Sequence, residues 1–149
     1  MKTGELCNRA VVTAGRDTAI TDAARLMRDH HVGSIVVVDE TAASVIPVGI
    51  LTDRDIVLEI IAKEVATNDV CVGDIMSYAL LKVGEDDSVF EAAQRMRARG
   101  VRRAPVTGAG GGLVGILALD DILELLSEEL SLLAKLTARE TQQEQQKRT

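Results

Sequence analysis

The chain repeats itself, and that limits its fold more than any other feature. Displaced by 69 positions, Gly4 falls on Gly73, Ala10 on Ala79, Gly15 on Gly84 and Asp17 on Asp86. The same displacement carries Ala23-Ala24 onto Ala92-Ala93, Met27-Arg28 onto Met96-Arg97, Val32 onto Val101 and Val37 onto Val106. Further on the displacement becomes 66: Val48-Gly49-Ile50-Leu51 falls on Val114-Gly115-Ile116-Leu117, and Asp55-Ile56 on Asp121-Ile122. The three-residue difference falls between Glu40–Pro47 in one copy and Gly108–Gly112 in the other. Surface turns are where duplicated units diverge in length.

Each copy carries one order of elements. A short apolar run (Ala10–Thr13; Ala79–Val83) reads as a strand. Ile20, Ala23, Ala24 and Met27, and their twins Val89, Ala92, Ala93 and Met96, repeat at i, i+3, i+4 and i+7 and predict a helix. Ser88 and Glu91 have capping-box spacing, and Thr18 is the corresponding candidate cap in the first copy. Two strands follow (Ser34–Val38 and Val48–Leu51; Arg103–Thr107 and Leu113–Leu117), the second pair joined through a glycine-rich turn. Another helix starts near Asp53 and near Asp120. The expected fold is therefore α+β: two β-α-β-β-α repeats packed about a pseudo-twofold axis, with an extended C-terminal helix. The expected limits are 4–64 for the first repeat, 65–72 for a linker, 73–126 for the second repeat and 127–149 for a helical extension with a frayed polar tail. A unit of about 50 residues buries too little surface alone, so the two should share a core and leave two quasi-equivalent clefts.

Composition excludes several classes of function. The chain has 149 residues with one Tyr, one Phe and no Trp, so the core is aliphatic and no ligand site rests on stacked rings. A net charge of −6 argues against nucleic acid as a partner. Cys7 and Cys71 make no disulfide framework, and with the adjacent His30 and His31 they give no metal-site spacing. They read as small hydrophobes, and the histidines as a helix C-cap or, when protonated, as groups that face a phosphate. No signal segment or apolar membrane span is recognisable, which points to a cytoplasmic protein without membrane contact.

The element order, the repeat and the run Gly49-Ile50-Leu51-Thr52-Asp53-Arg54-Asp55-Ile56 resemble the tandem CBS domain, named after cystathionine β-synthase. Gly100-Val101-Arg102-Arg103-Ala104-Pro105-Val106 is similar to the family's other signature stretch. The resemblance spans about Gly4 to Leu126. It implies a regulatory module, not an enzyme, that binds an adenine ligand such as AMP, ADP, ATP, NAD or S-adenosylmethionine between paired domains. It also implies a homodimer, with a further protein effector as the listener. No catalytic or transport domain accompanies the pair in this sequence. A scaffold with empty clefts is the other reading.

Thr52, at a strand-to-helix junction, offers a hydroxyl and backbone N–H groups to a phosphate, and Asp55 can accept from a ribose diol. On local grounds the two are equally a cap and a first-turn acid. The resemblance implies a nucleotide cleft of Thr52, Asp53, Arg54 and Asp55 with Leu81, Lys82, Val101, Arg102, Arg103, Ala104 and Pro105. It implies a second, weaker cleft of Val12, Val32, Gly33, Ser34, Ile35 and Asp121. The second is expected to be weaker because Ala118 replaces the threonine and Gly33 stands in the place of Arg102. No residue is expected to be catalytic and none to bind metal. Beyond the second repeat, Ile122, Leu126, Leu130, Leu133 and Leu136 form an apolar stripe that calls for a partner surface.

Overall fold

The computed structural model describes residues 1–148. The chain opens with a single helical turn, α1 (Thr3–Leu6), followed by β1 (Thr13–Ala14), α2 (Ile20–His30), β2 (Ser34–Glu40) and β3 (Val45–Thr52). A short helix α3 (Asp53–Ile56) runs directly into a π-helical stretch, Val57–Ile61. After a 3₁₀ turn at Thr67–Asp69 the order repeats: α4 (Val72–Ile75), β4 (Val83–Gly84), α5 (Val89–Arg99), β5 (Arg103–Thr107), β6 (Leu113–Ala118) and α6 (Leu119–Arg148).

Each copy builds one three-stranded sheet, ordered β1-β2-β3 in the first and β4-β5-β6 in the second. In each sheet the short first strand is parallel to its neighbour, and the other two form an antiparallel hairpin. The short strands are Thr13–Ala14 and Val83–Gly84, shifted toward the end of the apolar runs that predict them. The residues before them, 10–12 and 78–82, carry no regular secondary structure.

The helices α2 and α5 bury the faces their spacing predicts: Ile20, Ala23 and Met27, and Val89, Ala92 and Met96. Ala24 is exposed, and Leu26 packs on the core in its stead. The capping expected at their starts does not form. Ala19 and Ser88 are the N-caps, and neither side chain accepts a helix N–H. Thr18 instead accepts from the N–H of Gly15 at 3.1 Å. The physical reason is a backbone contact: Ala19 bridges Cys71 and Ser88 bridges Lys2.

Those bridges belong to a reciprocal exchange. The N-terminal turn packs on the second copy. The Thr3 and Gly4 N–H groups donate to the Asp87 and Glu85 carbonyls, each at 2.9 Å, and Cys7 sits in the core of α5, β5 and β6. The turn α4 packs on the first copy. The Val72 and Gly73 N–H groups donate to the Thr18 and Arg16 carbonyls, each at 2.8 Å, and Val72 and Met76 sit in the core of α2, β2 and β3. Each copy is thus completed by a segment that precedes the other in the chain. Fully burying one apolar side chain contributes about 1.5–3 kcal/mol, and the exchange buries Cys7, Val72 and Met76 in this way.

Glycine is required where the segments cross. A Cβ on Gly49 would lie 2.9 Å from the Ser77 carbonyl oxygen, and one on Gly115 would lie 2.8 Å from that of Asn8. Only a residue without a side chain lets the crossing backbone pair there with Ile50 and Ile116.

Helix α6 outruns the fold. Ile122 is buried, but Leu130, Leu132, Leu133 and Leu136 are 59–70% exposed. The polar tail expected to fray is helical through Arg148, and Thr149 lies outside the described residues. Among the described residues no helix is long and apolar enough to cross a membrane.

Candidate ligand clefts between the two copies

The strand-to-helix junctions form from local chemistry. The Thr52 hydroxyl oxygen accepts the Asp55 N–H at 3.1 Å, and an Asp55 carboxylate oxygen accepts the Thr52 N–H at 2.9 Å. This reciprocal cap holds both side chains at the start of α3. It leaves the Thr52 hydroxyl proton free to be donated and the second Asp55 oxygen free to accept. At the matching junction the Ala118 N–H donates to Asp121 at 3.0 Å, with no hydroxyl in return. Each helix start is tied to the strand beside it: Asp53 N–H donates to the Gly33 carbonyl at 3.0 Å, and Leu119 N–H to that of Arg102 at 2.8 Å.

One cleft between the copies has a volume of about 210 Å³. Val12, Val32, Gly33 and Ser34 of the first copy line it together with Asp121 of the second. Five of the six residues expected at that cleft therefore meet in it. Ile35, the sixth, is fully buried in the first core, because strand alternation turns its side chain away from Ser34. Ile35 therefore supports the wall and presents no surface to a ligand.

Arg103 also lines this cleft. It was expected in the other one, with Thr52 and Asp55. Arg102, which precedes β5, does not join it there: its guanidinium lies 3.7 Å from Asp120 of its own copy. Both side chains of that pair are about 70% exposed, at 73% and 70%, so the pair stabilises little. Gly33 stands in the place of Arg102 here, but the cleft has a cation from the other copy, Arg103, and His31 lines it too.

The remaining residues assigned to the Thr52 cleft divide by burial. Thr52, Asp55, Lys82 and Val101 are half-buried, while Asp53 and Arg54 are exposed. Ala104 and Leu81 pack in the second core, and Pro105 is buried beside them in β5. Ala104 has no exposed surface, so it lies behind the cleft wall and does not line it.

Sequence reasoning missed Asn8, Ala10, Val11, Ile116 and Ala118 as lining residues, while His31, one of two histidines that could face a phosphate, also lines the cleft. Asn8, Ala10 and Val11 lie on the crossing N-terminal segment. His31 was read as a helix cap, and it is one: it ends α2 in the left-handed conformation with φ 54°. The position is taken by Gly100, φ 65°, in the second copy.

Of the shifted titrations, those of Asp39 and Asp74 lie outside the Asp121 cleft, and that of Cys7 lies next to Asn8 in its wall. The Arg16 guanidinium, hydrogen-bonded to Asp39 at 2.9 and 3.0 Å, holds that carboxyl below its ordinary value. The Cys71 N–H and thiol do the same for Asp74. Burial pushes the Cys7 thiol up.

Comparison with known proteins agrees with this architecture. The family model for the CBS domain matches twice, over residues 4–62 and 72–128. An uncharacterized protein of Methanopyrus kandleri is 36% identical over 122 residues, 82% of this chain. The chain spans 61% of that relative's length. The hexameric CBS-CP12 protein from bloom-forming cyanobacteria has a TM-score of 0.71 at 27% identity, covering 83% of this chain and 66% of that one. The CBS domain pair of protein MJ0100, in complex with 5'-methylthioadenosine and S-adenosyl-L-methionine, has a TM-score of 0.71 at 26% identity. It covers 87% of this chain and 98% of that one. The doubled sheet-and-helix unit and both signature stretches thus have one explanation: the chain belongs to the CBS-domain family and carries two copies of that domain.

Proposed function

We propose that this protein is a regulatory module that binds an adenosine-containing ligand between its two copies. It passes occupancy on, as a homodimer, to a further protein through its conformation or dimer state. The observation that carries the reading is the 210 Å³ cleft, in which Arg103 and Asp121 of one copy face Val12, Val32 and Ser34 of the other. An apolar slot with a few convergent polar groups is suited to a purine, a carboxylate to a ribose diol, and a guanidinium to a phosphate. Its volume lies below the roughly 300–1,000 Å³ common for ligand pockets, which favours a mononucleotide over a dinucleotide such as NAD.

The same chemistry orders the two clefts. Hydrogen bonds to charged groups contribute about 1.5–3 kcal/mol against 0.5–1.5 for neutral ones. Arg103 lines the Asp121 cleft, whereas around the Thr52–Asp55 junction Arg54 is exposed and Arg102 lies against Asp120, which leaves the hydroxyl and the half-buried Lys82. We therefore assign phosphate-bearing ligands to the Asp121 cleft first and keep Thr52 and Asp55 as the second site. This reverses the order expected from sequence, and the placement of Arg103 is the reason.

Thermal melts with AMP, ADP, ATP, NAD, S-adenosylmethionine and 5'-methylthioadenosine test the reading. A ligand at about 100 times its Kd adds about 2.7 kcal/mol to stability. Arg103→Ala should weaken AMP binding at least tenfold and leave 5'-methylthioadenosine, which has no phosphate, within about threefold. Asp121→Ala should weaken both. If nucleotide-free protein melts at the same temperature with every ligand, the module is a scaffold and its clefts are empty.

A further inference from the structure

Helix α6 carries a pattern that the fold leaves unused. Leu123, Leu126, Leu130 and Leu133 are spaced alternately by three and four residues, and all four are 40–70% exposed. This is the spacing of a helix-pairing seam, and it lies beside the face that Ile122 turns into the second copy. Charge is segregated along the same helix. Leu119–Ala134 contains five acidic residues and no basic one, while the stretch from Lys135 to Arg148 contains Lys135, Arg139, Lys147 and Arg148 against Glu140 and Glu144. The helix dipole accounts for charges in the first and last turns only. It does not explain Glu124, Glu128 and Glu129, or Lys135 and Arg139, which lie in the interior.

We infer that α6 is the dimerisation element, and that it pairs with α6 of a second copy in antiparallel order, centred near residue 128. The seam then closes on itself. Leu123 of one copy meets Leu133 of the other, and Leu126 meets Leu130. A parallel pair would lay the acidic halves side by side. The antiparallel pair sets the basic half of each helix level with the acidic half of its partner, with Lys135 and Arg139, like Glu124 and Glu128, on the outer face away from the seam. Glu129 flanks the seam close to the twofold axis, so it faces its own copy and limits the affinity. The inference rests on the dimeric reading proposed above and specifies its surface and direction.

The test measures molecular mass by light scattering over a concentration series of the full chain. Wild type should be dimeric. Leu130→Glu and Leu133→Glu should each raise the dimer Kd by about 100-fold or more, because twofold symmetry buries each new charge twice. Both sites are exposed in the protomer, so helical circular dichroism should not change. Glu129→Gln should tighten the dimer. Direction is read with spin labels on Gln142→Cys in a Cys71→Ala background, Cys7 being buried. At 1.5 Å per residue the antiparallel pair places the labels about 40 Å apart, and a parallel pair about 10 Å. A monomeric wild type overturns the dimeric reading and this inference with it. A dimer that survives both glutamate variants overturns the role of α6 alone. A short label distance overturns the antiparallel order.

Discussion

The crossing of the N-terminal segment over β6 is the contact on which a single methyl group should have the largest effect. In Gly115→Ala the new Cβ would stand 2.6 Å from the Cys7 Sγ and 2.8 Å from the Asn8 carbonyl oxygen. The first neighbour is a side chain and can turn, but the second is backbone. Overpacking of this kind costs about 1–3 kcal/mol. Moving the segment away also strains the two reciprocal hydrogen bonds between Asn8 and Ile116, each 2.9 Å long and each contributing about 0.5–1.5 kcal/mol. The expected loss is about 3 kcal/mol, which for a chain of this size lowers the melting midpoint by about 6–12 °C. Urea denaturation of Gly115→Ala, Cys7→Ala and the double variant would measure it. Cys7→Ala removes the sulfur but not the carbonyl, so the double variant should recover about 1 kcal/mol relative to additivity. Strict additivity would refute the assigned crossing, as would a Gly115→Ala protein with wild-type stability.

Other perturbations have equally definite signs. His31→Gly should stabilise the protein by about 1 kcal/mol in urea, because the left-handed conformation at φ 54° costs a residue with a Cβ about that much. Gly100→Ala should lose a similar amount, since nothing lies within 4 Å of its added Cβ and the backbone alone resists. Asp39 and Asp74 titrate below their ordinary 3.8. Their contribution is therefore present above that pH and lost as the pH falls through their lowered values. Asp39→Asn should flatten the acid limb of the stability–pH curve, and an unchanged limb would exclude the Arg16 pairing as its source. Cys7, buried and with its thiol pushed up, should react with iodoacetamide at pH 8 more than tenfold slower than the partly exposed Cys71.

How much of this could be read from sequence depends on whether the governing contact is local. Helix α2 was legible because Ile20, Ala23 and Met27 share one face by periodicity alone. The hairpin β5–β6 was legible because Gly111, at φ 82°, supplies the turn from within the segment. Ile35 apart, which alternation alone turns away from Ser34, the failures are non-local. Ser88 and Glu91 have the spacing of a capping box, yet Ser88 bridges Lys2, far away in sequence. The displacement by 69 shows that Gly4 and Gly73 are equivalent, but not that each docks on the other copy. Arg102, just before β5, and Arg103, its first residue, go to different neighbours. Which cleft receives Arg103 depends on how the two sheets face each other, and no single strand records that.

The exchange gives the clefts a property that neither copy would have alone. Cys7 anchors the N-terminal segment in the second core, and Asn8 pairs with Ile116 of β6. A few residues later Ala10, Val11 and Val12 line the 210 Å³ cleft and lead into β1 of the first sheet. One stretch of backbone is thus fixed to the second copy at one end and to the first at the other, with the cleft wall between them. A ligand that touches Val12, Ala118 and Asp121 at once contacts both copies and the strap that joins them. It can shift the arrangement of the copies only by the difference between its affinities for the two arrangements. On the proposed reading, a wall made of residues from both copies supplies that difference, because moving one copy against the other would remove contacts on one side of the ligand. A cleft lined by a single copy would bind and release with no such consequence. On the proposed reading, the crossing that a one-residue change at Gly115 would disrupt is also the element through which occupancy of the cleft would be felt across the molecule.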